Sequence, residues 1–180
     1  METIVQRNYD KDKHLKLIKK NIDNKERRDY TILIDYQVFY EWREEILNVC
    51  NKFLESKISI FTFCENFIKL VDSISIFSNH ICTNYEKLQQ FQINAQFMNM
   101  ENFRIKVNCI SHILDDFYYD YISDDLYEDD AEPFLTSPSL FQLICEYSQD
   151  LITFYKQLKE FVDSEIKKDT PQSLEKPENE

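Results

Sequence analysis

Nine carboxylates and no basic side chain occupy the eighteen positions from Asp115 to Glu132. Aromatic residues are threaded among them: Phe117, Tyr118, Tyr119, Tyr121 and Tyr127. Clustered carboxylates attract a cationic partner and speed its approach. Tyrosine adds rigid contact area with a polar tip, which is why interfaces are rich in it. The spacing therefore marks Asp115, Asp116, Tyr118, Tyr119, Asp120, Tyr121, Asp124, Asp125, Tyr127, Glu128, Asp129 and Asp130 as a docking surface for a basic protein. The plainer reading is a solvated loop whose charge only aids solubility. A divalent-metal site is disfavoured here, because neither a turn-forming glycine nor the ligand spacing is present.

Two other sets carry chemically capable side chains. His80, Cys82, Cys109 and His112 together make up the composition of a Cys₂His₂ zinc site. Their spacing does not match, since structural zinc pairs sit on turns with two to four residues between cysteines. No metal is expected. A Cys64 or Cys109 thiol could act as a nucleophile beside a histidine, but no motif surrounds either cysteine. Helical ribonucleases of the HEPN class use an Arg and a His separated by four to six residues. Arg104 and His112 are separated by seven, which leaves a HEPN-like ribonuclease as an alternative. Trp42 reads as a core anchor on an apolar helix face.

Composition narrows the classes further. The chain of 180 residues contains no glycine. The phosphate-cradling Walker-A and dinucleotide loops need glycine, as do the nucleophile elbow and the calcium EF-hand loop. Alanine is nearly missing as well, at Ala95 and Ala131 alone, so much of the bias reflects AT-rich coding. Tight hairpins lose their best residue. A helix end needs only one left-handed residue, and Asn can serve there. No cofactor is expected.

The net charge of −12 is uneven. Residues 1–28 carry nine basic and five acidic side chains, and the remainder carries 12 against 28. An acidic surface argues against nucleic acid as a partner. No apolar run of membrane-spanning length and no secretory h-region is present, so a cytoplasmic protein is expected, or a stromal one if organelle-encoded. The five cysteines, with no close pair, read as reduced thiols.

The elements that must position these residues are helices. Residues 1–34 read as a polar lead-in, with a short helix over 11–22 and an extended segment at Thr31–Ile34. A bundle over 35–168 follows. Asp35 is the expected N-cap of a helix through Phe39, Trp42, Ile46, Val49, Cys50 and Phe53. Ser56–Ser59 breaks it, and Ser59 caps a second helix through Phe63, Phe67 and Val71. Thr83 to Glu86 fits a capping box for a third, reaching Ala95 or Phe97. A fourth runs from Met100 through Phe103, Val107 and Leu114 to Tyr121. An acidic loop over 123–137 precedes a last helix from Ser137-Pro138 to Lys168. Residues 169–180 read as a disordered tail. The expected fold is all-α: an antiparallel bundle of about five helices.

The stretch from Trp42 to Leu70, with Phe53-Leu-Glu-Ser-Lys-Ile-Ser59 followed by Phe63, Phe67 and Leu70, is similar to the first helical hairpin of colicin D-type and related bacterial immunity proteins. Met100-Glu-Asn-Phe103 with Val107 and Leu114 resembles their second half. Where many of those proteins have Gly, this chain has Ser56. The resemblance implies a small acidic helical protein that binds and blocks a basic nuclease toxin, with no catalytic residue to carry over. An accessory subunit of an organellar or phage assembly is the alternative non-enzymatic reading.

Overall fold

The computed structural model describes residues 9–118 and 138–169, with side chains over 9–116 and 151–168. Seven α-helices and one short 3₁₀ turn are found among the described residues, with no strand. The chain is an all-α bundle, as its periodicity requires.

Helix α1 (Lys11–Lys19) starts on Asp10, whose carboxylate accepts from the Lys13 N–H at 2.9 Å. It ends at Asn21, where φ is 51°. The Asn21 N–H donates to the Ile18 carbonyl and the Ile22 N–H to the Leu17 carbonyl. This paired closure is a Schellman motif, normally built on glycine. Asparagine supplies the left-handed residue in its place.

Helix α2 (Lys25–Glu41) is capped by Asn24, whose side chain accepts from the Arg27 N–H. The expected extended segment at Thr31–Ile34 lies inside this helix, and the expected N-cap Asp35 lies in its middle. Burial outweighs the β-branched preference: Ile34, Val38 and Phe39 are all fully buried in the core. Thr31 turns its hydroxyl back onto the Arg27 carbonyl at 3.0 Å, so it leaves no competing polar group. The boundary placed at residue 34 therefore falls within a helix, and Leu15 of α1 joins the same core as Ile34.

The single helix expected over residues 35–54 is divided at Trp42, where ψ is 15°. Hydrogen bonds continue through the junction, Trp42 to Val38 and Ile46 to Trp42, so it is a bend and not a loop. Trp42 packs against the core but is only partly buried. Helix α3 (Arg43–Leu54) then runs to a second Schellman closure. Ser56 has φ 58°, its N–H donates to the Phe53 carbonyl, and the Lys57 N–H donates to the Lys52 carbonyl at 2.8 Å.

Helix α4 (Ile60–Thr83) begins on Ser59, whose hydroxyl accepts from the Thr62 N–H. Its buried residues Phe63, Phe67, Val71, Ile74, Ser78 and Cys82 recur at three- and four-residue steps. It touches α2, α3, α5 and α6, and so forms the centre of the bundle. Burying Phe39, Phe63, Phe67 and Phe103 completely contributes about 1.5–3 kcal/mol for each ring.

The expected capping box at Thr83 gives way to a different start. Thr83 is the last residue of α4, and its hydroxyl donates to the Asn79 carbonyl. Asn84 caps α5 (Tyr85–Gln90) in its place, accepting from the Lys87 N–H. Helix α5 stops at Gln90, short of Ala95, and a 3₁₀ turn covers Phe97–Asn99. The intervening segment is held by Gln37, fully buried on α2. Its amide donates to the Gln92 carbonyl and the Glu41 carboxylate at 2.7 Å, and accepts from the Asn94 N–H at 2.9 Å.

Helix α6 (Glu101–Tyr118) and helix α7 (Pro138–Asp169) complete the bundle. Helix α7 starts at Pro138, where the missing N–H costs nothing. It runs antiparallel to α3, with Glu165 against Arg43 and Tyr155 against Leu54.

Candidate partner-binding surface

Helix α6 is the platform for the first residues of the acidic tract. Phe103, Val107, Ile110 and Leu114 form its buried stripe. Arg104 ties the helix to α2: its Nε lies 2.7 Å from the Asp35 carboxylate, and its guanidinium lies 3.6 Å from the centre of the Phe39 ring. Beside this pair the Tyr36 hydroxyl donates to Glu101. Phe103 meets Phe161 of α7, and Lys106 donates to the Ser164 hydroxyl.

At the far end of that stripe, Asp115 is half-buried and Asp116 exposed. Partial burial pushes the Asp115 carboxyl above the usual carboxylate range, and the negative charges of Asp72 and Asp116 push it further. His112 pulls the other way. Three carboxylates from two helices thus share one edge of the bundle, where Asp72 and Asp116 raise the cost of charge on Asp115. A cationic group placed there would relieve that repulsion.

Asp72 is the member that the linear pattern does not reveal. It lies on the exposed face of α4, far upstream of the tract, and only the α4–α6 packing brings it close. Tyr118 is the last residue of α6. Tyr119, Asp120, Tyr121, Asp124, Asp125, Tyr127, Glu128, Asp129 and Asp130 lie outside the described residues.

The other candidate sets are distributed across the fold. Cys82 is buried and directs its thiol at the Thr31 carbonyl of α2, 3.9 Å away, whereas Cys109 is exposed on α6. His80 and His112 are both exposed. Among the described residues, no three His, Cys, Asp or Glu side chains converge as metal ligands. Burial pushes the Cys50, Cys64 and Cys82 thiols up to about 12, so at neutral pH each stays protonated and poorly nucleophilic. Arg104 and His112 share a helix but not a site. Eight positions of helix separate them by about 12 Å along the axis, and Arg104 is engaged by Asp35.

Two fully buried titratable side chains, Glu165 and His14, lie outside the site sets read from the sequence. Glu165 of α7 is fully buried, with Lys168 Nζ 2.7 Å and Lys106 Nζ 3.9 Å from its Oε1 and Arg43 Nε 3.5 Å from its Oε2. Arg43 also donates to the Glu165 backbone carbonyl. His14 of α1 is fully buried too, with Nδ1 3.1 Å from the Tyr9 hydroxyl and its ring between Tyr9 and Tyr30. The period of α7 puts Glu165 on the stripe of Leu158, Phe161 and Val162, which is the one signal that could have found it.

No helix among the described residues is long and apolar enough to cross a membrane. No family model, curated protein or solved structure matches the chain.

Proposed function

We propose that this chain is a non-enzymatic binding protein whose acidic edge engages a basic partner, as an immunity-type inhibitor of a toxin or nuclease domain. The observation that carries this reading is the grouping of Asp72, Asp115 and Asp116 at the α4–α6 edge, where burial first, and then the charges of Asp72 and Asp116, hold the Asp115 carboxyl above its usual range. Crowded like charges make a cation the favoured occupant, and the nine carboxylates from Asp115 onward extend the same field along the sequence. The protonated, buried state of Cys50, Cys64 and Cys82 supports a binding role over thiol catalysis. The immunity-type assignment rests on the resemblance of Trp42 to Leu70, from which this chain departs at Ser56.

The test is association kinetics with a cationic nuclease domain, measured by stopped flow across a salt series. Replacing Asp72, Asp115 and Asp116 by Asn, and separately Asp124, Asp125, Asp129 and Asp130, should each slow association at low salt by about tenfold. Each set should also flatten the salt dependence. Unchanged rates and slopes would remove the acidic edge as the site.

A further inference from the structure

A second surface has the opposite electrical character. Where the α3–α4 turn meets α7, an open groove of 660 Å³ is walled by Phe53, Ile58, Ile60, Leu151, Ile152 and Tyr155. Lys57 and Lys156 complete its lining with Ser56 and Ser59, and among the described residues no acidic side chain belongs to it. In a chain with 33 acids and 21 bases, that exclusion sets the groove apart.

The walls are built from restrained side chains. Phe53 stacks on Phe63 with centroids 4.7 Å apart and meets Tyr155 edge-on at 6.2 Å. The Tyr155 hydroxyl donates to the Leu54 carbonyl at 2.9 Å, which pins α7 to the end of α3. Ile152 is nevertheless 49% exposed, so apolar surface stands open to a partner. The volume lies within the range of pockets that take bulky apolar groups.

Charge decides what kind of segment would enter. Lys156 is exposed at the rim. Lys57 rests 2.6 Å from Glu55, but both side chains are more than half exposed. Such a pair is worth little and can exchange for a partner's carboxylate. Helix α4 carries no acid in its first turn, so the positive end of its dipole faces Ser59 and Ile60 with no carboxylate of that turn beside it.

We propose that this groove docks an acidic peptide segment of a partner protein, seating aliphatic or aromatic anchors between α3 and α7 and its carboxylates on Lys57 and Lys156. This surface is distinct from the acidic edge and takes a ligand of opposite sign.

The experiment is fluorescence anisotropy on the full chain with two short labelled peptides. One is built of Glu with Leu and Phe anchors, and the other has Lys in place of every Glu. The acidic peptide should bind and the basic one should not. Lys156→Glu and Ile152→Asp should each weaken binding by about tenfold, and added salt should weaken it further. The Asp72, Asp115 and Asp116 replacements should leave peptide binding unchanged, which separates this result from the fate of the proposed inhibitor role. Both groove substitutions are at exposed positions, and thermal melts by circular dichroism check that the fold is retained. If either melt shifts, Lys156→Gln replaces that variant. Equal binding of the basic peptide, or wild-type binding by the groove variants, would overturn the proposal. So would sedimentation showing that the chain self-associates and that Ile152→Asp abolishes it, since a second copy would then be the occupant.

Discussion

Glu165 and His14 are both fully buried, yet the fold treats them in opposite ways. Glu165 keeps company with Arg43, Lys106 and Lys168 across α3, α6 and α7, so a buried negative charge meets several positive ones. His14 lies between two tyrosines, with Arg27 the charge that acts on it. Burial first, then Arg27, hold its ring neutral, with its pKa pushed down to about 4. The contrast teaches that this bundle accepts a buried titratable group on either of two terms. It supplies counter-charges, or it denies the charge altogether.

Breaking the first arrangement should have the largest effect. Glu165→Ala leaves Arg43 buried without its carboxylate, and urea unfolding should show a loss of about 3–5 kcal/mol. Glu165→Gln keeps the shape and one acceptor and should lose less. Equal, small losses for both variants would show that the ion cluster contributes little.

The second arrangement is tested by acid. In the unfolded chain His14 protonates near pH 6.5, whereas in the folded chain it resists protonation down to about 4. Between those values the unfolded state binds the extra proton, so stability falls as pH falls through this window. It is unaffected by His14 above it. The loss should approach about 2–3 kcal/mol by pH 4. His14→Phe should remove that part of the pH dependence measured by denaturant melts, while Glu165 variants should retain it.

The half-open pair of Arg104 and Asp35 lies between these extremes, with 15% and 25% of the two side chains exposed. Arg104→Ala should cost about 1–2 kcal/mol, from the charged hydrogen bond and the contact with Phe39 together. Asp35→Asn should cost less, because the stacking on Phe39 survives. The smallest effect should be a gain. Ser56→Gly relieves a left-handed serine and should stabilise the chain by about 0.5–1 kcal/mol, seen as a raised melting temperature. The same change at Asn21 should gain less, since asparagine tolerates that conformation better than serine.

Much of the fold was legible along the chain. The stripes of α3, α4, α6 and the end of α7 repeat at helical spacing, and Ser59 and Pro138 mark helix starts by local chemistry. Helix α2 was not legible. Its β-branched Thr31–Ile34 run and its polar Asp35 and Gln37 blur the apolar face, and only contact with α4, α6 and the segment after α5 shows why those polar residues belong inside a helix. Gln37 is satisfied by backbone groups more than fifty positions away, and Asp35 by a guanidinium on α6. The acidic tract was visible as composition, but Asp72 joins it solely through the packing of α4 on α6.

The sequence by itself determined that the chain is helical, that it is acidic, and that it must end helices without glycine. These follow from periodicity, charge and backbone sterics, all of which are local. Asn21 and Ser56 then carry the left-handed closures that glycine would otherwise supply. Tertiary structure alone decided which polar groups are buried, which charges neutralise them, and where like charges crowd at one edge while a groove whose described lining holds no acid opens at another. Those outcomes depend on distances between helices, and a distance between helices is a property of packing that no spacing along one chain encodes.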